Sequence, residues 1–340
     1  MGDLPKFLRL LVAGGIVRQR AMLREVGPDT ALERPLLPWL ALSSVYVFWG
    51  STYLAIRVGV ETIPPFLMAG IRYLIAGGIL YPLAIRFGDR TGDRPGLAQW
   101  KAAAIVGALL MFGGNGMVSW AERTVPSGIA ALLVGTVPLW MVLIDRVIGR
   151  AAVSRKVVAG IVLGFSGVAL LVRPSASQHL PLAGTAAVLI ATISWASGSL
   201  YSRTAPLPAR PLVGTAMAML TGGAVLMVAA AATGEFAHLR LDAVSSRSLL
   251  AVAWLVGPGS IVAFSAYTFV LRKLPIATVA TYAYVNPVVA VLLGWAILGE
   301  SLSAQTVIGG GVIVAAVALI VAKRSSSSRK TEPDVRLPRR

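Results

Sequence analysis

Ten apolar segments, each close to the length that crosses a lipid bilayer, restrict this chain to one kind of structure. Lipid offers no hydrogen-bonding partners, so each segment must be an α-helix that satisfies its own backbone. We therefore predict an all-α integral membrane protein with ten transmembrane helices. The segments are expected near 37–57, 64–86, 100–120, 125–144, 154–172, 181–203, 211–232, 248–271, 276–298 and 303–322.

The composition favours a membrane protein over a soluble one. Hydrophobic residues make up 56% of the chain and charged residues 13%, and the mean hydropathy is +0.76. A soluble domain with this balance would expose large apolar patches. The net charge of +17 resembles a nucleic-acid signal, but the basic residues lie between and outside the apolar segments. There they orient a chain in a membrane, so we expect lipid contacts and no nucleic-acid partner.

The second half of the chain repeats the first at a shift of 146 to 149 residues. The matching positions pair Trp49-Gly50-Ser51 with Trp195-Ala196-Ser197, Pro65 with Pro211, Pro126 with Pro275, Pro138 with Pro287, Ser154 with Ser303, Gly160 with Gly309, and Val168-Ala169-Leu170 with Val317-Ala318-Leu319. A duplicated hydrophobic half is the sequence mark of a secondary transporter built from two membrane repeats.

The distribution of Lys and Arg predicts the orientation. With the ten segments in place, 25 of the 31 basic residues lie on one side and five on the other. The positive-inside rule then puts both termini in the cytoplasm. Five helices per repeat is an odd number, so the two repeats must be inverted relative to each other.

The segments and the repeat divide the chain into four predicted regions. These are a cytoplasmic amino-terminal extension at 1–36, a first repeat at 37–172, a second repeat at 181–322 and a basic cytoplasmic tail at 323–340. The extension mixes apolar residues with arginine, so it either lies on the inner leaflet or is disordered.

The sequence offers little for enzymatic chemistry. It has no P-loop motif, no His-x-x-x-His, no Asp-rich motif and no Gly-x-Ser-x-Gly. His179 and His238 are its two histidines and both fall in predicted loops, and cysteine is absent, which excludes disulfides and thiolate metal sites. We expect a protein that is not an enzyme and that needs no cofactor and no metal.

Arg72 is the one ionised residue near the middle of a predicted span. It lies eight residues into the second segment, about 12 Å down at 1.5 Å per residue. A charge at that depth must face protein or water. Two interpretations are open: a counter-charge for a carboxylate or phosphate on a substrate, or a structural arginine that caps the carbonyls of a neighbouring helix.

Helix breakers recur at corresponding places in the two halves. Interruptions at matching positions are the best sequence pointer to a transporter binding site, because freed backbone groups can then meet a ligand. The alternative for each glycine is close helix packing. Our predicted gating or helix-break residues are Gly113, Gly114, Pro138, Pro258, Gly259 and Pro287.

Aromatic and amide side chains surround these kinks, and a cavity that they line would suit an amphiphilic solute. Some aromatic residues, such as Trp120, lie close enough to span ends to be interface residues instead. Our predicted substrate-binding residues are Trp49, Tyr53, Arg72, Asn115, Trp195, Tyr282 and Asn286.

The acidic residues closest to the predicted segments lie at the segment ends or in the loops beyond them. Glu122 ends the third segment and Glu300 ends the ninth, both at the same face, where they act either as boundary residues or as part of a gate. Since no acidic residue lies deep in a span, proton coupling has no obvious carrier.

The first predicted span contains the motif Trp49-Gly50-Ser51-Thr52-Tyr53. This motif resembles the opening helix of the EamA family of the drug/metabolite transporter superfamily, and within it of the YedA-like exporters. The run from Gly114 through Glu122 to Pro138 and the ending Leu298-Gly299-Glu300 are also similar. In the first half Gly149-Arg150 stands where the family has an acidic residue, a departure from the pattern.

The resemblance implies an inner-membrane carrier with ten helices in two inverted repeats, a central cavity and a small-molecule substrate, and it is compatible with a homodimer. Family members export amino acids, other metabolites or drugs. We therefore expect a secondary exporter of small amphiphilic metabolites that works by alternating access. A cation-drug exporter is the alternative, although no membrane-embedded acid is evident to meet a cation. A non-transporting scaffold or an enzyme would leave the duplicated breaks unexplained.

Overall fold

A computed structural model of the protein describes residues 36–87, 95–147, 155–172, 181–274, 276–279 and 281–329. All regular secondary structure in these ranges is helical. The chain divides into an amino-terminal unit, Met1–Trp39, and a compact unit, Leu40–Arg340, to which all the contacts below belong. The predicted extension at 1–36 lies outside the described residues except for its last position, and Gly149-Arg150 lies outside them as well.

The helices follow one another with short connections. In chain order they are α1 (Leu37–Gly59), α2 (Pro65–Phe87), α3 (Leu97–Ala121), α4 (Ser127–Val134), α5 (Val137–Val147), α6 (Arg155–Val172), α7 (Leu182–Ser202), α8 (Pro211–Ala232), α9 (Glu235–His238), α10 (246–273), α11 (Ile276–Val279), α12 (Tyr282–Leu298) and α13 (Ala304–Arg329).

Within the described part of the chain, seven helices are long and apolar enough to cross a membrane. They are Leu37–Gly59, Pro65–Arg86, Leu97–Ala121, Ser127–Val147, Leu182–Ser202, Pro211–Ala232 and Ser246–Val270. Three shorter apolar helices, Val158–Leu171, Tyr282–Leu298 and Ala304–Ala316, lie where the sequence predicts the remaining segments. The structure thus confirms an all-helical membrane protein, whereas the count of ten spans in two inverted repeats stays a prediction.

The glycine-rich interruptions are wide turns within continuous helices rather than unwound breaks. In α3 the backbone is π-helical over Ala108–Gly116, and in α10 it is π-helical over Gly257–Val262. A π-helical stretch shifts the hydrogen bonds from i→i+4 to i→i+5 and is frequent at functional sites. The two predicted breaks therefore change the direction of side chains while the helix continues to the other side.

Both proline-containing segments are divided, the fourth near its middle and the ninth near its start. The fourth segment is split into α4 and α5 just before Pro138, and the ninth is split into α11 and α12, with Pro287 inside α12. A proline inside a helix removes a backbone hydrogen bond and bends the axis. A Cβ at Gly135 would lie 3.0 Å from Pro287 Cγ, so the kinked regions of the two halves touch.

Corresponding helices of the two halves pack against each other. α2 contacts α8 and α6 contacts α13, and in each of these pairs the two helices are related by the sequence shift. α4 contacts α12, which belongs to the ninth segment, the counterpart of the fourth. Glycines permit the close approach: a Cβ at Gly77 would lie 3.0 Å from the carbonyl oxygen of Ala216, and one at Gly309 would lie 3.2 Å from that of Gly167. Small residues at such crossings are typical of membrane helix pairs.

The last helix is longer than the sequence segment predicts. α13 continues to Arg329, seven residues beyond the predicted span end at 322. Residues 323–329 contain no proline or glycine, and the four serines at 325–328 are tolerated in a helix at a modest cost in stability. The first part of the predicted basic tail is therefore helical, and the residues after 329 lie outside the described ranges.

Candidate functional site

A cavity of about 130 Å³ lies among the helices of both halves. All seven predicted substrate-binding residues line it, and so do Gly114, Pro138 and Pro287 from the predicted break residues. Gly113, Pro258 and Gly259 do not line it, nor does Trp120, which the sequence places close to a span end. The volume is below the roughly 300–1,000 Å³ of pockets that hold drug-sized ligands, so this shape suits a small solute.

One face of α1 forms a wall of this cavity. Trp49, Thr52, Tyr53 and Ile56 all line it, and their spacing of three, one and three residues keeps them on the same side of a helix. Sequence reasoning selected only the two aromatic residues. The helical period of the segment would have added Thr52 and Ile56.

Arg72 is buried against the cavity, with a relative exposure of 3%. Its Nε donates a hydrogen bond to Ser260 Oγ at 2.9 Å, and its guanidinium carbon lies 4.7 Å from the centre of the Tyr73 ring. Among the residues the structure describes, no carboxylate oxygen lies within 4.0 Å of this guanidinium. The guanidinium group therefore lies at the wall of a cavity without a carboxylate partner from the described protein residues. Such a group can bind the carboxylate or phosphate of a ligand through two parallel hydrogen bonds.

The π-helical stretch of α10 holds Arg72 in place. Ser260, the hydrogen-bond acceptor, lies within this stretch and is buried. A Cβ at Gly259 would lie 3.0 Å from Thr52 Cγ2 and 3.6 Å from Arg72 Nη2, so a side chain there would compete with the arginine for space. Pro258 and Gly259 thus act behind the cavity wall. Ser260 was not predicted, although it is the residue that follows the predicted break.

The π-helical stretch of α3 brings α7 close to the cavity. A Cβ at Gly114 would lie 2.7 Å from Trp195 Cε3, so only a glycine lets the indole approach the α3 backbone. Two carbonyl groups of the stretch receive side-chain donors: Ser194 Oγ donates to Leu109 O at 2.8 Å, and Asn115 Nδ2 donates to Leu110 O at 3.3 Å. These bonds satisfy groups that the changed helical pattern disturbs.

Four aromatic rings form a cluster at one side of the cavity. Trp49 lies at the centre of this cluster, with ring-centroid distances of 5.1 Å to Phe264, 5.0 Å to Tyr267 and 5.2 Å to Tyr282. The edge-on arrangement of the Phe264 and Tyr282 rings is the favoured geometry for such pairs. Phe264 and Tyr282 also line the cavity, which therefore has an apolar aromatic wall opposite its few polar groups.

Two polar atoms at the cavity have no hydrogen-bond partner. Asn286 is 7% exposed and its Oδ1 is unpartnered, as is the hydroxyl of Tyr73. Buried polar groups in proteins are almost always paired, so each unpaired one needs an explanation. A ligand that donates hydrogen bonds would satisfy both. The sequence predicted Asn286 and missed Tyr73, whose position next to Arg72 was the available signal.

One end of the helix assembly is held together by carboxylates, and we call it the carboxylate end: Arg57, Glu122, Ser127, Glu235 and Glu300. Glu300 accepts hydrogen bonds from Ser127 N at 2.7 Å, Ser127 Oγ at 2.8 Å and Gly128 N at 3.0 Å. It thereby caps the amino terminus of α4, where the backbone N–H groups favour negative charge. Gly299, with φ of +66°, ends α12 and turns Glu300 toward α4.

Glu235 plays the same role for another helix. Its carboxylate accepts hydrogen bonds from Leu67 N at 2.8 Å and Phe66 N at 3.3 Å, and it caps the amino terminus of α2. Both capping acids come from the second half of the chain, and both capped helices belong to the first. Sequence reasoning treated Glu300 as a boundary or gate residue and did not consider Glu235.

Comparison with known proteins identifies the family. The EamA-like transporter family matches residues 37–173 and again 182–322. An inner membrane transporter of Escherichia coli K12, YedA, is 44% identical over 274 residues, covering 79% of this chain and 86% of its own. A Salmonella typhimurium protein named a probable amino-acid metabolite efflux pump is 25% identical over 276 residues, with 78% and 88% covered.

A solved crystal structure that is 21% identical covers 87% of this chain and 99% of its own, with a TM-score of 0.57. At that identity the likeness speaks for the fold alone. The two family matches cover most of the chain and include all the residues that line the cavity. This chain therefore belongs to the EamA-like transporter family.

Proposed function

We propose that this membrane transporter is a secondary exporter of small amphiphilic metabolites that carry a carboxylate, such as amino acids. The substrate binds in the central cavity with its carboxylate on Arg72 and its apolar part against the aromatic wall. The transporter works by alternating access, in which the two repeats at 37–172 and 181–322 move relative to each other around the bound solute.

The observation that carries this proposal is the state of Arg72. Its guanidinium is buried at the cavity and, within the described ranges, has no ion-pair partner. A buried arginine without a counter-charge is costly, and a substrate carboxylate in a bidentate pair would compensate for it. The unpartnered Asn286 Oδ1 supplies an acceptor for an ammonium group at the same cavity. Together these groups match the two ends of an amino acid.

The packing of the helices supports the alternating-access mechanism. The contacts α2–α8 and α6–α13 join equivalent helices, and α4–α12 joins the equivalent fourth and ninth segments, as expected when two copies of one unit are related by a pseudo-two-fold axis. The three shorter apolar helices, added to the seven long ones, would complete ten spans. Five spans per repeat then imply inverted repeats.

The names of the relatives and the distribution of charge support the location and direction. The Escherichia coli relative is named an inner membrane transporter, and the Salmonella typhimurium relative an amino-acid metabolite efflux pump. The excess of Lys and Arg on one side of the predicted spans supports a cytoplasmic location for both termini. The carboxylate end of the helix assembly then faces away from the cytoplasm.

Ligand-dependent stabilisation of the purified protein tests the proposal. We would record its melting temperature in detergent against amino acids, organic acids and lipophilic cations. A ligand at 100 times its dissociation constant stabilises the folded state by about 2.7 kcal/mol, which is measurable. We expect carboxylate-bearing solutes to stabilise the wild type and to lose this effect in Arg72→Ala. Arg72→Lys should retain part of it, because lysine keeps the charge without the fork.

Arg123→Ala is the matched control, because Arg123 is an exposed arginine near the end of α3 that stacks on Trp120. Carboxylate binding should persist in this variant. Stabilisation by lipophilic cations alone would contradict the proposal and favour the multidrug exporter. Carboxylate binding that survives Arg72→Ala would remove Arg72 from the site.

A further inference from the structure

Glu122 is a fully buried acid that the cavity description does not use. It is the first residue after the span Leu97–Ala121, and its relative exposure is 0%. Neither Oε1 nor Oε2 has a hydrogen-bond partner. An ionised carboxylate without partners in such a place is very costly, so burial favours the protonated form. The sequence showed that Glu122 lies near a span end, but it did not show this burial.

The charged groups around Glu122 leave it without a direct partner. Arg57 donates a hydrogen bond to the backbone carbonyl of Glu122, yet in the described part of the chain no guanidinium nitrogen of Arg57 lies within 4.0 Å of the Glu122 carboxylate. Arg123 bonds to Trp120 O and is exposed. Glu300, the acid that caps α4, is the nearby acid.

The physical consequence concerns the protonation of Glu122. Burial raises its pKa well above the ordinary range, and the negative charge of Glu300 adds to this increase. The charge of Arg57 and its hydrogen bond oppose the increase and are smaller effects. A neutral acid beside an ionised one is a recurrent arrangement in sites that bind and release protons.

Glu122 lies one helical turn from the cavity wall. Val118 lines the cavity, and the backbone N–H of Glu122 donates to Val118 O at 2.9 Å. Residues four apart share a helix face, so Glu122 continues the cavity-lining face of α3. Tyr53, another lining residue, lies within electrostatic reach of the acid. A proton on Glu122 is therefore close to the substrate site and within electrostatic reach of Glu300.

We propose that Glu122 is the proton-binding site that couples export to a proton gradient, an inference that rests on the proposed function. The present structure is the proton-loaded form with the carboxylate end closed. When this end opens, α4 and Glu300 separate, water reaches Glu122 and the carboxyl exchanges its proton. Closure requires reprotonation, because an ionised, unpartnered Glu122 resists burial.

In the conformation open to the cytoplasm, the proton leaves through the cavity, which Val118 lines one helical turn from Glu122. The ionised carboxyl then favours reopening of the carboxylate end with the solute bound. One proton is therefore taken up outside and released to the cytoplasm for each solute that leaves.

Infrared spectroscopy of the purified full-length protein tests the proton site without any substrate. The carbonyl stretch of a protonated carboxyl is separate from the carboxylate bands. We expect such a band at neutral pH in the wild type, its loss in Glu122→Gln and its persistence in Glu61→Gln. Glu61 is the matched control, because it is an exposed acid at the same end of the helices. A wild-type spectrum without the band at neutral pH would overturn the proposal.

Proteoliposomes test the coupling with L-leucine as the probe. With a gradient of one pH unit, the wild type should accumulate leucine on the acidic side by up to about tenfold for one-to-one exchange. Glu122→Gln should exchange leucine across the membrane without accumulating it. Accumulation by Glu122→Gln, or wild-type exchange that ignores the gradient, would contradict the proposal.

The two experiments separate the failures. No leucine exchange in the wild type contradicts leucine as a substrate of the proposed exporter, and the infrared result then decides the role of Glu122 by itself. If Glu122→Gln does not fold, Glu122→Asp keeps a titratable group on a shorter side chain. A changed pH dependence of leucine exchange in Glu122→Asp supports the proton site, and an unchanged one counts against it.

Discussion

The two ends of the central cavity are closed by different kinds of contact. At the carboxylate end, Glu300 and Glu235 make charged hydrogen bonds to the amino termini of α4 and α2. At the other end, which we call the aromatic end (Tyr46, Tyr267, Thr281 and Tyr282), rings pack against one another and Tyr46 bonds to the hydroxyl of Thr281. Tyr46 lies thirteen residues before the end of α1, about 20 Å along the helix axis.

The difference indicates which end is firmly closed. Charged hydrogen bonds are directional and depend on short distances, so two helix caps break only as the helices separate. Ring contacts tolerate sliding, because their energy changes little with small displacements. We therefore predict that the carboxylate end is the closed gate of this conformation and that the aromatic end is the side at which small movements open the cavity.

Removal of the Glu300 cap should have the largest effect on stability. Glu300→Ala deletes three hydrogen bonds to a charged acceptor and leaves the first N–H groups of α4 unsatisfied, so we expect a loss of about 3 kcal/mol. Denaturant titration of the purified protein measures it. Glu61→Gln, an exposed acid at the same end, should change stability by less than about 0.5 kcal/mol. A loss in Glu300→Ala no greater than in this control would refute the gate.

Removal of the Glu235 cap should cost somewhat less. Glu235→Gln keeps an amide oxygen for one of the two backbone N–H groups of α2 but loses the charge, for which we expect about 1–2 kcal/mol. The same titration measures it. A double variant with Glu300→Gln tests whether the two caps are independent, since distant sites add within about 0.5 kcal/mol. Strong non-additivity would mean that both caps open in a single movement.

The pH dependence of stability distinguishes Glu122 from the capping acids. Its pKa in the folded protein is raised by burial above the unfolded value of about 4.3. The contribution of Glu122 to the free energy of unfolding is therefore fully present below about pH 4.3 and is lost as the pH rises through the pKa of Glu122 in the folded protein. In the wild type the free energy of unfolding should decrease by up to about 1.4 kcal/mol per pH unit in this range. We expect this decrease to be smaller in Glu122→Gln. Identical slopes in both proteins would show that Glu122 titrates normally.

Loss of a contact at the aromatic end should have the smallest effect on stability. Tyr46→Phe removes the hydroxyl that bonds to Thr281 and keeps the ring, so we expect a loss of about 0.5–1 kcal/mol. If the aromatic end is the side that opens, this variant should also increase solvent access to the cavity. Faster labelling of a cysteine introduced at Thr52, compared with the same cysteine in the wild type, measures this access. A stability loss as large as that of Glu300→Ala would remove the contrast between the two ends.

Much of the candidate site could be predicted from the sequence because the duplication marks it. Gly114, Pro138 and Pro287 were selected since breakers recur at corresponding positions, and all three line the cavity. The Trp49 and Tyr53 face followed from the same pattern. Whether these residues bind substrate stays a prediction until a ligand is identified.

Other features were out of reach of the sequence for physical reasons. Ser260 meets Arg72 across 188 residues, a pairing that depends on how α2 and α10 pack. The breaks are π-helical because the freed carbonyl groups find donors such as Ser194 on α7, and no local pattern reveals a donor on another helix. Glu122 appears as a boundary residue, since position along the chain gives depth in the membrane but not burial by other helices.

The sequence by itself determined that this chain is a helical membrane protein with an internal repeat. Lipid requires every apolar segment to form an α-helix, and the repeat is visible as matching residues at a constant shift. Tertiary structure alone decided which polar groups lack partners. Arg72 without an anion, Asn286 with a free oxygen and Glu122 buried without a donor are properties of the packed assembly. Whether a polar group is satisfied depends on distances between helices, and those distances are set only when all the helices have packed.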